Sequence, residues 1–286
     1  MENELKNVGV IGGGTMGAGI AEVLAKAGST VRVLERAEAV DAAQERIAKS
    51  LARGVKAGKL SQEDADAALA RVTVTTEIDT FADSDLVIEA MPEIESLKLE
   101  YFHKLDEIIR QDAILATNTS SIPVIRLANA TKHPERVLGM HFFNPVPVMP
   151  LVEIVTTLKV DRAVVDKVAA FATDTLGKRT IESKDQAGFI VNALLIPYLT
   201  NAIRMYESGF ASAEDIDAGM VNGCGHPMGP LRLCDTVGLD ICLAVAESLF
   251  AEFGQPHYAP PVLLRRMVDA GYLGRKTGRG FYDYAK

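Results

Sequence analysis

A run of three glycines closes the first β-branched segment of the chain, and nothing else in the sequence narrows the fold as much. Val8 to Ile11 leads into Gly12-Gly13-Gly14-Thr15-Met16-Gly17, a G-x-G-x-x-G turn between a strand and the Ala-rich helical pattern of Met16 to Ala27, which stops at Gly28. In such a turn Gly12 allows the tight bend, Gly14 lets a pyrophosphate approach the backbone, and Gly17 lets helix and strand pack closely. The helix N-terminus then faces the phosphates, so Gly12, Gly14, Thr15, Met16 and Gly17 read as a phosphate cradle. Eighteen residues after Gly17, closing the strand-like run from Thr30, Glu35 stands where a carboxylate accepts hydrogen bonds from an adenosine ribose. A bare G-x-G-x-x-G also occurs as a ligand-free turn; strand, helix and acid in this order point to a dinucleotide. Glu35 repels a 2′-phosphate and favours NAD, while the adjacent Arg36 leaves NADP open.

The rest of the first half repeats the alternation. Val72 to Thr75, Leu86 to Glu89, Ala113 to Thr117 and Val137 to Met140 read as strands, and Ser96 to Arg110 carries apolar residues at helical spacing (Leu97, Tyr101, Leu105, Ile108). This is the pattern of an α/β, Rossmann-type, mainly parallel sheet, whose ligands sit outside the carboxyl ends of its strands. One crossover is too long, about 35 residues between Glu35 and Val72. It reads as a helical-hairpin insertion, Glu38 to Ala57 and Ser61 to Arg71, turned at Gly58. Leu151 to Val155 and Arg179 to Ser183, separated by the helical pattern of Val164 to Leu176, complete the sheet. After Asp185 only helical patterns follow: Gly188 to Gly209, Glu214 to Val221 and Leu239 to Phe253. A length of 286 residues suits two domains. We expect a Rossmann-type domain over 1–185 and a smaller all-helical domain over 186–286.

Composition excludes several partners. With 30 Lys and Arg against 38 Asp and Glu the formal charge is −8, so the basic excess used to bind a phosphate backbone is missing and nucleic acid is not expected. Cys224, Cys234 and Cys242 form no C-x-x-C pair, which fits a reducing, cytoplasmic setting. The opening residues lack a basic region followed by an apolar one, so no secretory signal is expected. The apolar stretch from Phe189 to Leu199 holds Asn192 and Pro197 and is shorter than the roughly 20 residues of a membrane span. No membrane partner is expected.

Among five histidines, His103, His133 and His257 lie in charged or polar surroundings and read as surface residues, and His226 lies in the turn-like Gly-His-Pro-Met-Gly-Pro. His141 differs. It follows the strand Val137 to Met140 and so stands at the carboxyl edge of the sheet, beside the cofactor cleft. Twelve residues on is Glu153, beyond a loop carrying Pro145, Pro147 and Pro150. If the chain doubles back near 147, the two face each other across an antiparallel pair, as an imidazole with an orienting carboxylate or as a structural ion pair. Ser120, in Asn-Thr-Ser-Ser after the strand ending at Thr117, reaches the same edge, as a functional hydroxyl or a turn cap. Asn192 in its apolar run requires a hydrogen-bond partner, from a substrate or from neighbouring backbone. No metal-ligand spacing and no G-x-S-x-G nucleophile motif is present.

Five segments together resemble the short-chain L-3-hydroxyacyl-CoA dehydrogenases: 12–20 (GGGTMGAGI), 118–121 (NTSS), 141–149 (HFFNPVPVM), 188–192 (GFIVN) and 274–282 (GRKTGRGFY). Within them the bacterial 3-hydroxybutyryl-CoA dehydrogenases are most similar, and the resemblance spans the chain. It implies His141 as catalytic base, Glu153 as its partner, and Ser120 and Asn192 as substrate-orienting groups. Glu93, Lys98, Ser120, Asn144 and Lys276 match positions near the nicotinamide half of NAD. Ser50 matches a CoA-contacting serine, but the lysine expected seven residues later is Ala57, with Lys56 and Lys59 beside it as substitutes. Met91-Pro92 replaces two small apolar residues before Glu93. The implied activity is reversible NAD-dependent oxidation of a short (S)-3-hydroxyacyl-CoA by a homodimer. Two other readings stay open: a dehydrogenase of a free hydroxy acid or sugar acid, of gulonate type, and a catalytically silent NAD-binding protein.

Overall fold

A computed structural model describes residues 5–284. These divide into two compact units, the first ending at Gln186 and the second beginning at Ala187. Gln186 stays with the first unit, its amide donating to the Lys184 carbonyl at 2.9 Å.

The first unit is one eight-stranded sheet in the order β3-β2-β1-β4-β5-β6-β7-β8. Its strands are β1 (Asn7–Ile11), β2 (Thr30–Leu34), β3 (Val72–Thr75), β4 (Leu86–Glu89), β5 (Ile114–Thr117), β6 (Val137–Phe142), β7 (Leu151–Thr156) and β8 (Arg179–Lys184). All neighbours are parallel except β6 and β7, which run antiparallel. Helices α1 (Thr15–Lys26), α2 (Val40–Lys56), α3 (Gln62–Ala70), α4 (Glu95–Ile108), α5 (Val124–Ala128) and α6 (Arg162–Ala170) connect them. The central strands are apolar on both faces: Val8, Val10, Val31, Val33, Leu86 and Ile88 are buried on one with Ile20 and Leu24 of α1, and Ile11, Val87 and Leu115, at the alternate positions, are buried on the other. Each such side chain contributes about 1.5–3 kcal/mol relative to exposure. The long crossover is the expected hairpin, α2 turning into α3 at Gly58, which takes the left-handed φ of 67°.

β6 runs further than its apolar pattern indicates. The expected strand stops at Met140, whereas pairing continues through Phe142 opposite Val152, so His141 is inside the strand. The antiparallel partner supplies hydrogen bonds that composition alone does not reveal.

The second unit is helical: α7 (Val191–Glu207), α8 (Ala213–Cys224), α9 (Pro230–Val237), α10 (Leu239–Phe253) and α11 (Val262–Asp269). Leu199, Ile203, Leu231, Cys234, Leu239, Cys242, Leu249 and Leu264 form its core. Two of these helices escape the sequence pattern. Both α9 and α11 start within proline-rich segments that read as turns, and α9 begins on Pro230, a residue whose missing N–H costs nothing in a first turn.

Candidate active site

The dinucleotide loop is shaped by close contacts. Gly12 has φ 97°, and a Cβ on Gly17 would lie 1.8 Å from the Gly12 carbonyl oxygen, so neither accepts a side chain. At Gly14 the surroundings are open to beyond 4 Å. Gly14 also begins α1 without a side-chain cap, so the first amides of the helix face that opening. A bare helix N-terminus beside an open glycine fits a pyrophosphate. Glu35 is held in place at the end of β2: Oε2 accepts from the Gly13 N–H and Oε1 from the Arg36 N–H, both at 2.9 Å. The Arg36 guanidinium turns to Glu38 at 3.2 Å. Arg46 of α2 donates to the Gly13 carbonyl at 2.6 Å, a tie that the spacing of the sequence does not announce.

β6 and β7 place His141 directly opposite Glu153. Nδ1 lies 2.6 Å from Glu153 Oε2, and the two residues are 5% and 0% exposed. With Nδ1 donating to the carboxylate, Nε2 is the imidazole nitrogen that carries a lone pair. The Phe143 ring packs edge-on against the imidazole at 4.6 Å. Asn118, after β5, accepts the Phe142 N–H on Oδ1 at 2.9 Å and so ties the ends of two neighbouring strands. Sequence reasoning named its tetrapeptide but not this residue. The connection from β6 to β7 is held by a buried lysine, because Lys178 donates to the carbonyls of Val146 and Met149 at 2.6 and 2.7 Å. Burial, reinforced by the nearby Lys26, pushes the Lys178 ammonium below the usual lysine range, while Glu22 pulls it back. On the other side Val146 packs against Gly19 of α1, where a Cβ would meet it at 2.9 Å.

Between β4 and β5 lies a second buried charged group. Lys98 of α4, 1% exposed, bridges Glu89 Oε2 at 3.1 Å and Glu93 Oε2 at 2.7 Å. Glu93 Oε1 in turn accepts from the amides of Ser120 and Ser121 at 3.0 Å each, from the Ser121 hydroxyl at 2.9 Å, and from the Thr119 hydroxyl. The loop carrying Ser120 is therefore hung on Glu93, and Lys98 acts on that loop through carboxylates. Burial raises the Glu93 pKa, but Lys98 and the hydroxyl donors together outweigh it and leave the carboxyl below its usual range. For Glu89 burial wins over Lys98, Thr117 and Met91, and the carboxyl sits above its usual range.

The family model for the NAD-binding domain of 3-hydroxyacyl-CoA dehydrogenase matches residues 7–186, and that for its C-terminal domain matches 188–284. The chain belongs to the 3-hydroxyacyl-CoA dehydrogenase family. It is 54% identical over 286 residues to a 3-hydroxybutyryl-CoA dehydrogenase of Mycobacterium tuberculosis, covering 99% of this chain and 100% of that protein. The mitochondrial hydroxyacyl-coenzyme A dehydrogenase of Sus scrofa is 41% identical, covering 98% of this chain and 91% of that one. Among solved structures, M. tuberculosis FadB2 superposes with a TM-score of 0.97 at 55% identity, covering 98% and 99% of the two chains. The (S)-3-hydroxybutyryl-CoA dehydrogenase PaaH1 of Ralstonia eutropha gives 0.93 at 45% identity, covering 99% and 100%.

The remaining expected site residues of this family member divide between the two units. Asn144 is exposed in the connection that follows β6. Ser50 lies on α2, with Lys56 at the end of that helix and Lys59 in the turn after it. Arg53 is three residues from Ser50 and four from Ala57, so it shares their face, whereas Lys56 lies roughly 120° round the helix from Ser50. Arg53 is exposed on α2, a cation that the spacing from Ser50 to Ala57 does not single out. In the second unit Asn192 is half-buried in the first turn of α7, and Lys276 holds both carboxylate oxygens of Asp240 at 2.6 Å. His226 pairs with the Tyr198 hydroxyl at 3.1 Å. No helix among the described residues is long and apolar enough to cross a membrane, and no metal-binding cluster is found among them.

Proposed function

We propose that the protein reversibly oxidises the 3-hydroxyl of a short (S)-3-hydroxyacyl-CoA, such as 3-hydroxybutyryl-CoA, to the 3-oxo compound, with NAD as its cofactor. The observation that carries this reading is the His141 to Glu153 hydrogen bond of 2.6 Å on the same sheet edge as the glycine loop, in a chain of this family. NAD, when bound, supplies the hydride acceptor. His141 Nε2 takes the substrate hydroxyl proton, and the Glu153 carboxylate stabilises the imidazolium that results. In the reverse direction the imidazolium polarises the 3-oxo group and returns the proton. Gly12, Gly14, Thr15, Met16 and Gly17 cradle the pyrophosphate, and Glu35 receives the ribose hydroxyls. Ser120 and Asn192 orient the substrate. Glu93, Lys98, Asn144 and Lys276 serve the nicotinamide half, with Lys98 acting from beneath through Glu93.

The acyl-CoA is held in part by the helical hairpin, through Ser50 and the cations Arg53, Lys56 and Lys59. The helical unit serves substrate binding and pairs two copies into a homodimer. The three thiols suit a reducing, cytoplasmic setting. An assay of NADH oxidation with acetoacetyl-CoA, free acetoacetate and a sugar acid in parallel tests the whole reading. Turnover should be confined to the CoA ester. Equal turnover of a free acid would transfer the protein to the gulonate-type reading, and none with any substrate to a silent binding protein.

A further inference from the structure

At the carboxyl end of β4 the buried Glu89 and Lys98 meet the more exposed Glu93, two negative charges against one positive, and they do so where the strand order reverses, between β1 and β4. Open α/β sheets bind their ligands at that switch point. Glu89 is in register with Ile11, the last residue before the glycine loop. The Ala90 carbonyl oxygen and Met91 Cα lie 3.0 and 3.2 Å from where a Gly12 Cβ would be, so the backbone just past Glu89 lies directly behind that loop.

The donors around Glu89 set its charge. Oε1 accepts the Met91 N–H at 2.6 Å, and Oε2 faces the Thr117 hydroxyl at 2.7 Å and the Lys98 ammonium at 3.1 Å. Thr117 already accepts the Thr119 N–H at 3.1 Å, so the single proton of its hydroxyl goes to Glu89. Every partner donates, and a carboxylic acid here would have no acceptor for its own proton. Glu93 is surrounded by donors in the same way. Lys98 is shared between the two carboxylates, which leaves the group one negative charge in excess.

We propose that the Glu89, Lys98 and Glu93 group biases the bound cofactor between its oxidation states, adding affinity for the cationic oxidised nicotinamide and none for the neutral reduced ring. This rests on the reading of the first unit as the NAD site. The adenosine, riboses and pyrophosphate are common to NAD⁺ and NADH, so their contacts cancel in the ratio of affinities. Only the ring charge differs, and a fixed charge buried in protein is weakly screened. α4 contributes Lys98, the connection after β4 contributes Glu93, β5 contributes only the Thr117 hydroxyl, and β1 contributes no charge. From β6 and β7 the other titratable pair at this edge is His141 with Glu153. The ring of donors selects the carboxylate form, while burial, against the pull of Lys98 and the hydrogen bonds, sets the Glu89 pKa above the usual carboxylate range, so the excess charge disappears as pH falls through that raised value.

The test is the dissociation constant of each oxidation state, by calorimetry for NAD⁺ and fluorescence for NADH, in the wild type and in Glu89→Gln, which keeps the shape and removes the charge. The NAD⁺ constant should rise about tenfold while the NADH constant stays within about twofold. The loss of NAD⁺ affinity on acidification should be stronger in the wild type than in Glu89→Gln, because only the wild type carries a protonatable carboxyl at position 89. Parallel changes in the two constants, or no change in either, would overturn the proposal. If thermal melts show Glu89→Gln unfolded, Glu93→Gln removes the same unit of charge from the other side of Lys98 and should weaken NAD⁺ more than NADH, over and above any loss common to both through the Ser120 loop; an equal loss would overturn the proposal. Failure of the wild type to bind either form would instead overturn the cofactor reading on which the proposal stands.

Discussion

His141 and Glu153 are the residues on which the proposed chemistry turns, and their geometry separates a proton-transfer pair from a structural one by experiment. In His141→Gln much of the side-chain volume remains but the proton acceptor is gone, so kcat should fall by roughly 10² to 10⁴ with NADH affinity little changed. Glu153→Gln loses the charge that favours the imidazolium and should also lower kcat. Because the two act as one unit, the double variant should be little slower than His141→Gln alone. Steady-state kinetics accompanied by thermal melts read this directly; near-wild-type turnover in folded His141→Gln would return the pair to a structural role. At this scale the sequence made His141, Glu153, Ser120 and Glu35 legible, because motif spacing and strand ends place them. It was silent on Asn118, Arg46 and the use made of Lys98. Their partners lie 24 residues away for Asn118 and 33 for Arg46, and no periodicity encodes such pairings.

Two connecting elements carry predictions of their own. The β6 to β7 connection keeps its carbonyls at Val146 and Met149 satisfied by one buried ammonium. Lys178→Met keeps the length of the side chain and leaves both without that donor, at a cost of about 1–3 kcal/mol for each group that stays dry. A lowered denaturation midpoint should result, and an unchanged one would mean that water replaces the lysine. The second element is the hairpin of α2 and α3. If its basic residues hold the CoA phosphates, replacing Arg53, Lys56 or Lys59 by Ala should raise KM for acetoacetyl-CoA with little change in KM for NADH, Arg53 most of all because it shares the Ser50 face. Equal KM values in all three and in the triple variant would place the phosphates elsewhere. The hairpin itself was visible in the sequence as a crossover too long for its type. The extension of β6 and the proline-led helices α9 and α11 were not visible, since antiparallel pairing extends the first and turn-like residues begin the others.

For the whole molecule, the homodimer proposed above can be tested at the exposed apolar residues of the helical unit. Ile190, Leu194 and Met205 recur along or just before α7 at spacings of four and eleven, a single stripe, and Leu194 is 73% exposed. Leu194→Glu should shift a dimer toward monomer, measured by light scattering on the eluting protein, and a dimer equally resistant to dilution would remove this stripe from the interface. The division between sequence and tertiary structure follows from the range of the interactions involved. Local signals suffice for the alternating strands and helices, for the phosphate loop with its acid, and for the family, because each is written in residues close together along the chain. What tertiary structure alone decided is which distant groups meet. The placing of α2 brings Arg46 to the Gly13 carbonyl, and the placing of α4 buries Lys98 between two carboxylates. A buried charge is tolerated only where such partners surround it, and that condition is a property of the folded whole.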